Sequence, residues 1–116
     1  MTITKDRILA AIAAVQPVAV EVPELGGTVY VRPLTLAGMS RFHAAVVQDA
    51  TRGPAILIAD CLCDASGTRL FTAADETHLA DLPSRIAQRL VDAITAVSGM
   101  DSAAAEGAAG NLPATR

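Results

Sequence analysis

Apolar residues alternate with other residues over two short segments in the first third of the chain. Val18, Val20 and Val22 form the first alternation, and the second runs over Thr28–Arg32. A period of two predicts a β-strand with one buried face. The loop between the segments contains Pro23 and two consecutive glycines, which predicts a β-hairpin at about residues 18–32. An isolated hairpin is only marginally stable, so it must pack on helices or join a partner's sheet.

The apolar positions outside the hairpin follow helical spacing. Threonine precedes three of these segments as a candidate N-cap, and Thr72 is followed by Asp75 in a pattern typical of a capping box. The fold class predicted is α+β: mostly helical, four or five helices with one N-terminal β-hairpin, in a single globular domain at residues 1–100. The predicted helices run over Lys5 to about Val15, Leu36 to about Ala50, Ala55 to about Cys63, Thr72 to about Ala80, and Pro83 to about Ser98.

The segment from Ala55 to Cys63 is apolar nearly all round, with Asp60 as its polar exception. A helix that is apolar on every side is typically the central core helix of a domain. Cys61 and Cys63 would point to different faces of such a helix and are poorly placed for a disulfide. We therefore expect both cysteines to act as small buried apolar side chains.

Beyond the last predicted helix the chain changes character. The segment Asp101–Arg116 is rich in alanine and glycine, and it shows no periodicity. Such a segment offers few anchors for packing, so residues 101–116 are predicted to form a flexible C-terminal tail.

Composition and charge narrow the range of partners. The 116 residues are 52% apolar and only 3% aromatic, which predicts an aliphatic core. The net charge of −3 argues against a nucleic-acid partner, which generally needs a basic face. No run of about 18 apolar residues occurs, and the first residues do not resemble a signal peptide. We therefore expect no membrane partner and a location in the cytoplasm where the chain is made.

The sequence offers little catalytic or metal-binding chemistry. It contains no HExxH or paired CxxC motif and no glycine-rich phosphate loop, and its two histidines are far apart. Asp75, Glu76 and Asp81 cluster around His78, and helix capping is the simpler interpretation of this cluster, with a metal site or a partner contact as the alternatives. We expect no enzymatic activity, no cofactor and no bound metal.

Three segments in a fixed order resemble one protein family. The first is Val20–Thr35, with a strand, a Pro-Glu turn with glycine, a second strand ending in arginine, and a Leu-Thr helix start. The second is Asp64–Asp75, with a turn, a Leu-Phe pair and a capped helix, and the third is the amphipathic helix that ends near Ser98. Together they cover roughly Val18–Met100, and this part of the chain resembles the tail assembly chaperones of long-tailed bacteriophages.

The resemblance implies a function. Such proteins coat the tape measure protein in the host cytoplasm, keep it soluble until the tail tube assembles around it, and are absent from the mature virion. The tail tube protein and further copies of the chain are additional candidate partners. Many family members also occur in a longer, frameshifted form, and Gly110-Asn111 can be encoded by codons that allow such a shift.

The sequence leaves two alternatives open: a structural virion component such as a head–tail connector subunit, and a small bacterial regulator or adaptor. For the chaperone, Leu25 and Tyr30 are the candidate partner-binding residues, because both are large side chains of the hairpin. Leu25 lies at the predicted turn tip, where it either contacts a partner or folds back onto the domain.

Overall fold

A computed structural model describes residues 2–99 of the chain. These residues form five α-helices and a three-stranded antiparallel sheet, which confirms the predicted α+β class. In chain order the elements are α1 (Lys5–Ala13), β1 (Val18–Val22), β2 (Gly27–Val31), α2 (Leu36–Gln48), α3 (Gly53–Cys61), β3 (Leu62–Cys63), α4 (Glu76–Leu79) and α5 (Ser84–Val97). The predicted tail at 101–116 and the Gly110-Asn111 site lie outside the described residues.

The hairpin forms as predicted. Strands β1 and β2 pair in register from Val18 opposite Val31 to Val22 opposite Gly27. A 3-10 turn at Pro23–Leu25 joins them and ends at Gly26, whose φ of 71° lies in the left-handed region that favours glycine. The turn is fastened to α5 by an ion pair between Arg89 and Glu24.

A third strand extends the hairpin, and the sequence did not predict it. Strand β3 pairs with β2, placing Cys63 opposite Tyr30 and Leu62 opposite Val31. The helix predicted to continue to Cys63 therefore ends at Cys61, and the prediction was wrong for the last two residues. The change from helix to strand lets the backbone of this apolar segment pair with the open edge of β2.

Helix α3 lies at the centre of the core, as its uniform apolarity predicted. Seven of its nine residues are buried, and Ile58 is almost completely enclosed. Ile58 packs in one cluster with Val22 and Val31 of the sheet and with Leu90 and Ile94 of α5. The sheet and α5 therefore close over α3.

The cysteines and two residues of the acidic cluster, Asp75 and Glu76, have structural roles. Cys61 and Cys63 are both free and buried, and burial raises the pKa of the Cys61 thiol to about 12. Asp75 and Thr72 form the predicted capping box. Glu76 accepts two hydrogen bonds from Arg52, at 2.7 and 3.0 Å, which lower the pKa of the Glu76 carboxyl. Within residues 2–99 no group of three or more metal-ligating side chains comes together.

The buried carboxylate of Asp60 joins α3 to α2. Asp60 is 8% exposed, and its Oδ1 lies 2.8 Å from Arg41 Nη2 and 3.6 Å from Arg69 Nη2. A buried charge is tolerated when it is paired in this way. The other carboxylate oxygen lies against Gly38 in the first turn of α2, where a β-carbon would overlap with it. Asp60 and Gly38 therefore set how closely α2 approaches α3.

Gly38→Ala is expected to destabilise the fold by about 1–3 kcal/mol, because the new methyl group meets both Asp60 and Leu34. Alanine in place of glycine usually stabilises a helix by roughly 1 kcal/mol, so even the sign of the effect is diagnostic. Chemical denaturation followed by circular dichroism measures it. Gly27→Ala is the control, since nothing lies within 4 Å of its β-position. A Gly38→Ala variant as stable as the wild type would contradict this packing.

Candidate functional site: an apolar groove beside the N-terminal helix

Helix α1 presents its apolar side chains to solvent. Thr4 caps it by accepting the N–H of Arg7, yet no residue of the helix is buried. Ile12 is 73% exposed, and Ile8 and Leu9 are exposed as well. A nine-residue helix has little stability of its own in water, and an amphipathic helix normally gains stability by burying its apolar face. Within the described part of the chain, that face of α1 is left uncovered.

A groove with a cavity volume of about 940 Å³ runs between α1 and the rest of the domain. Three segments line it: residues 11, 12 and 15–17 at the end of α1 and its exit, 32–37 from the end of β2 to the start of α2, and 65–67 in the turn after β3. Most of the lining side chains are apolar, and this volume is at the upper end for sites that bind small organic molecules. The groove is therefore large enough for several residues of another peptide segment.

Leu36 stands at the rim of the groove and is 88% exposed. It is the first residue of α2, directly after Thr35, whose Oγ1 caps the helix by accepting the N–H of Gly38 at 3.0 Å. The cap fixes the direction of the helix start and leaves the Leu36 side chain outside the core. An almost fully exposed leucine next to the apolar face of α1 enlarges the uncovered apolar surface.

Hydrogen bonds hold two walls of the groove, residues 32–37 and 65–67, in place. Arg32 Nη1 donates to the carbonyl of Gly67 at 3.2 Å, and the backbone N–H of Leu34 donates to Ser98 Oγ at 2.9 Å. Asp64 accepts hydrogen bonds from Ser66 and Thr68, and these lower the pKa of its carboxyl. The groove walls contributed by 32–37 and 65–67 are thus built before any partner arrives.

The two residues predicted to bind a partner lie elsewhere. Leu25 is 52% exposed in the turn between β1 and β2, so its side chain does not fold back into the core. Tyr30 is half-buried on the central strand, on the sheet face opposite that of the buried Val31. Neither residue lines the groove. The binding roles of Leu25 and Tyr30 stay predictions.

Sequence reasoning missed the groove as a candidate site. The signal was present in the helical spacing of Ile8, Ile12 and Val15, but the same spacing is typical of a helix that packs on its own domain. Only the tertiary structure shows that the face is uncovered.

No helix of residues 2–99 has the length and apolarity needed to cross a membrane, and the longest, α5, has 14 residues.

The fold and the sequence match proteins of phage tail assembly. The structure is similar to that of the bacteriophage HK97 tail assembly chaperone, with a TM-score of 0.63 and 19% sequence identity over 84% of this chain and 96% of that chain. No curated protein sequence shows significant similarity. The family model described as phage tail assembly chaperone, TAC, matches residues 7–98, which is well over half of the chain. The chain therefore belongs to the phage tail assembly chaperone family.

Proposed function

We propose that this chain binds the tape measure protein in the host cytoplasm and keeps it soluble until the tail tube assembles around it. Family membership supports this function over a connector subunit or a bacterial regulator. The observation that carries the proposal is the uncovered apolar surface formed by α1, Leu36 and the groove. Binding is reversible and needs neither covalent chemistry nor a cofactor.

The groove suits an amphipathic helical segment of a partner. Such a helix inserts apolar side chains three and four residues apart into an apolar cleft, and a tape measure protein, as a long helical chain, offers many segments of this kind. Covering one exposed aliphatic side chain contributes about 1.5–3 kcal/mol. A few such contacts per copy give modest affinity, and the many apolar segments of one partner allow many copies to bind along it.

Modest affinity per copy also explains release. As the tail tube subunits polymerise along the tape measure protein, they displace the chaperone copies one at a time. Each copy is held only by its own few contacts, so each displacement costs little free energy. Chaperone copies are then absent from the finished particle. The tail tube protein and neighbouring chaperone copies are further proposed partners in this exchange.

Co-expression tests the proposal directly. The tape measure protein of the phage that encodes this chain is expected to be insoluble when expressed alone and to move to the soluble fraction, bound to the chain, when both are expressed. Mass spectrometry of purified virions is expected to find no copies of the chain. Stoichiometric presence in virions would favour the connector subunit instead, and an unchanged tape measure solubility would refute the chaperone function.

Leu25→Asp is expected to reduce the yield of soluble tape measure protein without changing the stability of the fold, because Leu25 is exposed and outside the core cluster. Leu70→Asp is a matched control, since Leu70 is equally exposed but lies in the segment after β3 and not in the hairpin turn. Co-expression yield measures the effect. Equal yields of soluble tape measure protein from the two variants would show that the turn tip is not part of the binding surface.

A further inference from the structure

The chain leaves its last helix at the side of the groove. Helix α5 ends at Val97, and Gly99 follows with a φ of 74°, a conformation that turns the chain away from the helix axis. Ser98 accepts the N–H of Leu34 through its side-chain oxygen at 2.9 Å, and Leu34 lines the groove. The last described residues, Ser98 and Gly99, therefore lie close to Leu34 of the groove.

The sequence continues for residues 100–116, which is ample to reach any part of the groove. An extended chain spans about 3.3 Å per residue, so the stretch from Gly99 to Leu112 reaches on the order of 40 Å. Closing such a loop costs little more than closing a shorter one. A tether of this length corresponds in general to an effective concentration in the millimolar range, at which weak apolar contacts are sufficient for binding.

The composition of this segment complements the groove. After Met100, Leu112 and Pro113 are its large apolar residues, and the remainder is mostly alanine and glycine. Proline restricts the residue before it to extended backbone, so Leu112 reaches a cleft with less loss of conformational entropy. The groove also contains Arg32, which forms no ion pair within residues 2–99, while the segment carries Asp101 and Glu106.

We propose that the chain's own Leu112-Pro113 docks in the groove between α1 and the segment 32–37, and that it competes there with a partner helix. Docking covers the apolar groove while no partner is bound and gives way when one arrives. Burial of one leucine corresponds to roughly a ten- to hundred-fold preference for the docked state, which a partner helix that inserts several apolar side chains overcomes. The docking does not depend on the proposed function, whereas the competition rests on it.

A nitroxide spin label at Ala114→Cys tests the docking in the full chain. Both natural cysteines are buried, and the pKa of Cys61 is raised to about 12, so the new thiol is the one that reacts. The amide resonances of Leu36, Ala37 and Ala65, all at the groove, are expected to broaden. The additional substitution Leu112→Asp should make these resonances sharp again. Asn111→Asp is the control, because it introduces the same charge next to Leu112, and it should leave the resonances broadened.

Three outcomes would overturn the docking. In the first, the groove resonances stay sharp. In the second, they broaden equally in the Leu112→Asp protein. In the third, broadening requires two different chains, one with the spin label and one with the isotope label, to be mixed. The last result would show that a second copy, not the chain's own segment, fills the groove.

The competition has a separate readout. Without any spin label, Leu112→Asp is expected to bind a peptide from the tape measure protein about ten-fold more tightly than Asn111→Asp does. If the spin label shows docking but the two variants bind the peptide equally, the competition is refuted while the docking stands. If neither variant nor the wild type binds any tape measure peptide, the proposed function fails, and the docking result remains valid.

Discussion

Replacing Leu36 by aspartate is expected to abolish most of the tape-measure-solubilising activity and to leave the fold intact. Leu36 is 88% exposed, so the free chain loses little packing, and an acidic residue in the first turn of a helix is favourable. Covering a leucine contributes about 1.5–3 kcal/mol, so its loss weakens each copy by roughly ten- to a hundred-fold. Soluble tape measure yield in co-expression measures the effect, with circular dichroism to check the fold.

Val47→Asp provides the matched control for this experiment. Val47 lies on the same helix and is 86% exposed, but it does not line the groove. Aspartate near the end of a helix costs about 0.3–1 kcal/mol, so the control is the less stable of the two variants. We expect it nevertheless to solubilise the tape measure protein as the wild type does. Equal loss of activity in both variants would show that the groove rim has no special role.

Ile58→Ala is expected to destabilise the domain by about 2–5 kcal/mol. Ile58 is 1% exposed at the centre of α3, where the sheet and α5 close over it, so truncation leaves a cavity that the surroundings fill only in part. A domain of this size has a total stability of roughly 5–15 kcal/mol, so the loss is a large share of it. The midpoint of chemical denaturation should fall strongly.

The same substitution at Ile8 controls for helix propensity and side-chain chemistry. Ile8 is exposed on α1 and packs in no core cluster, so Ile8→Ala is expected to change the free energy of unfolding by no more than about 0.5 kcal/mol. A difference of less than 1 kcal/mol between the two variants would contradict the central position of α3.

Local sequence patterns predicted the elements whose signals are local. The hairpin follows from alternating valines around a glycine turn, and the capping box at Thr72 and Asp75 follows from a fixed spacing. Helix α3 was recognised as central from its uniform apolarity, although its end was placed two residues too late. Each of these features depends on residues close together in the chain, where the relation between pattern and structure is direct.

The features that depend on distant residues were not predictable in this way. Strand β3 has only two residues, and it exists because β2, some thirty positions earlier, offers an unpaired edge. Asp60 was noted as a polar exception, but its partners Arg41 and Arg69 come from different elements. The groove is the clearest case, because the exposed face of α1 has the same pattern as a buried one.

Hydrogen exchange of the chain alone and in its complex with the tape measure protein tests the central claim most directly. No residue of α1 is buried, so its amides should exchange quickly in the free chain. In the complex we expect slower exchange in α1 and at the start of α2, residues 5–13 and 36–40, and little change in the already buried α3. Unchanged exchange at α1 and at the start of α2 in a stable complex would contradict the groove as the binding site.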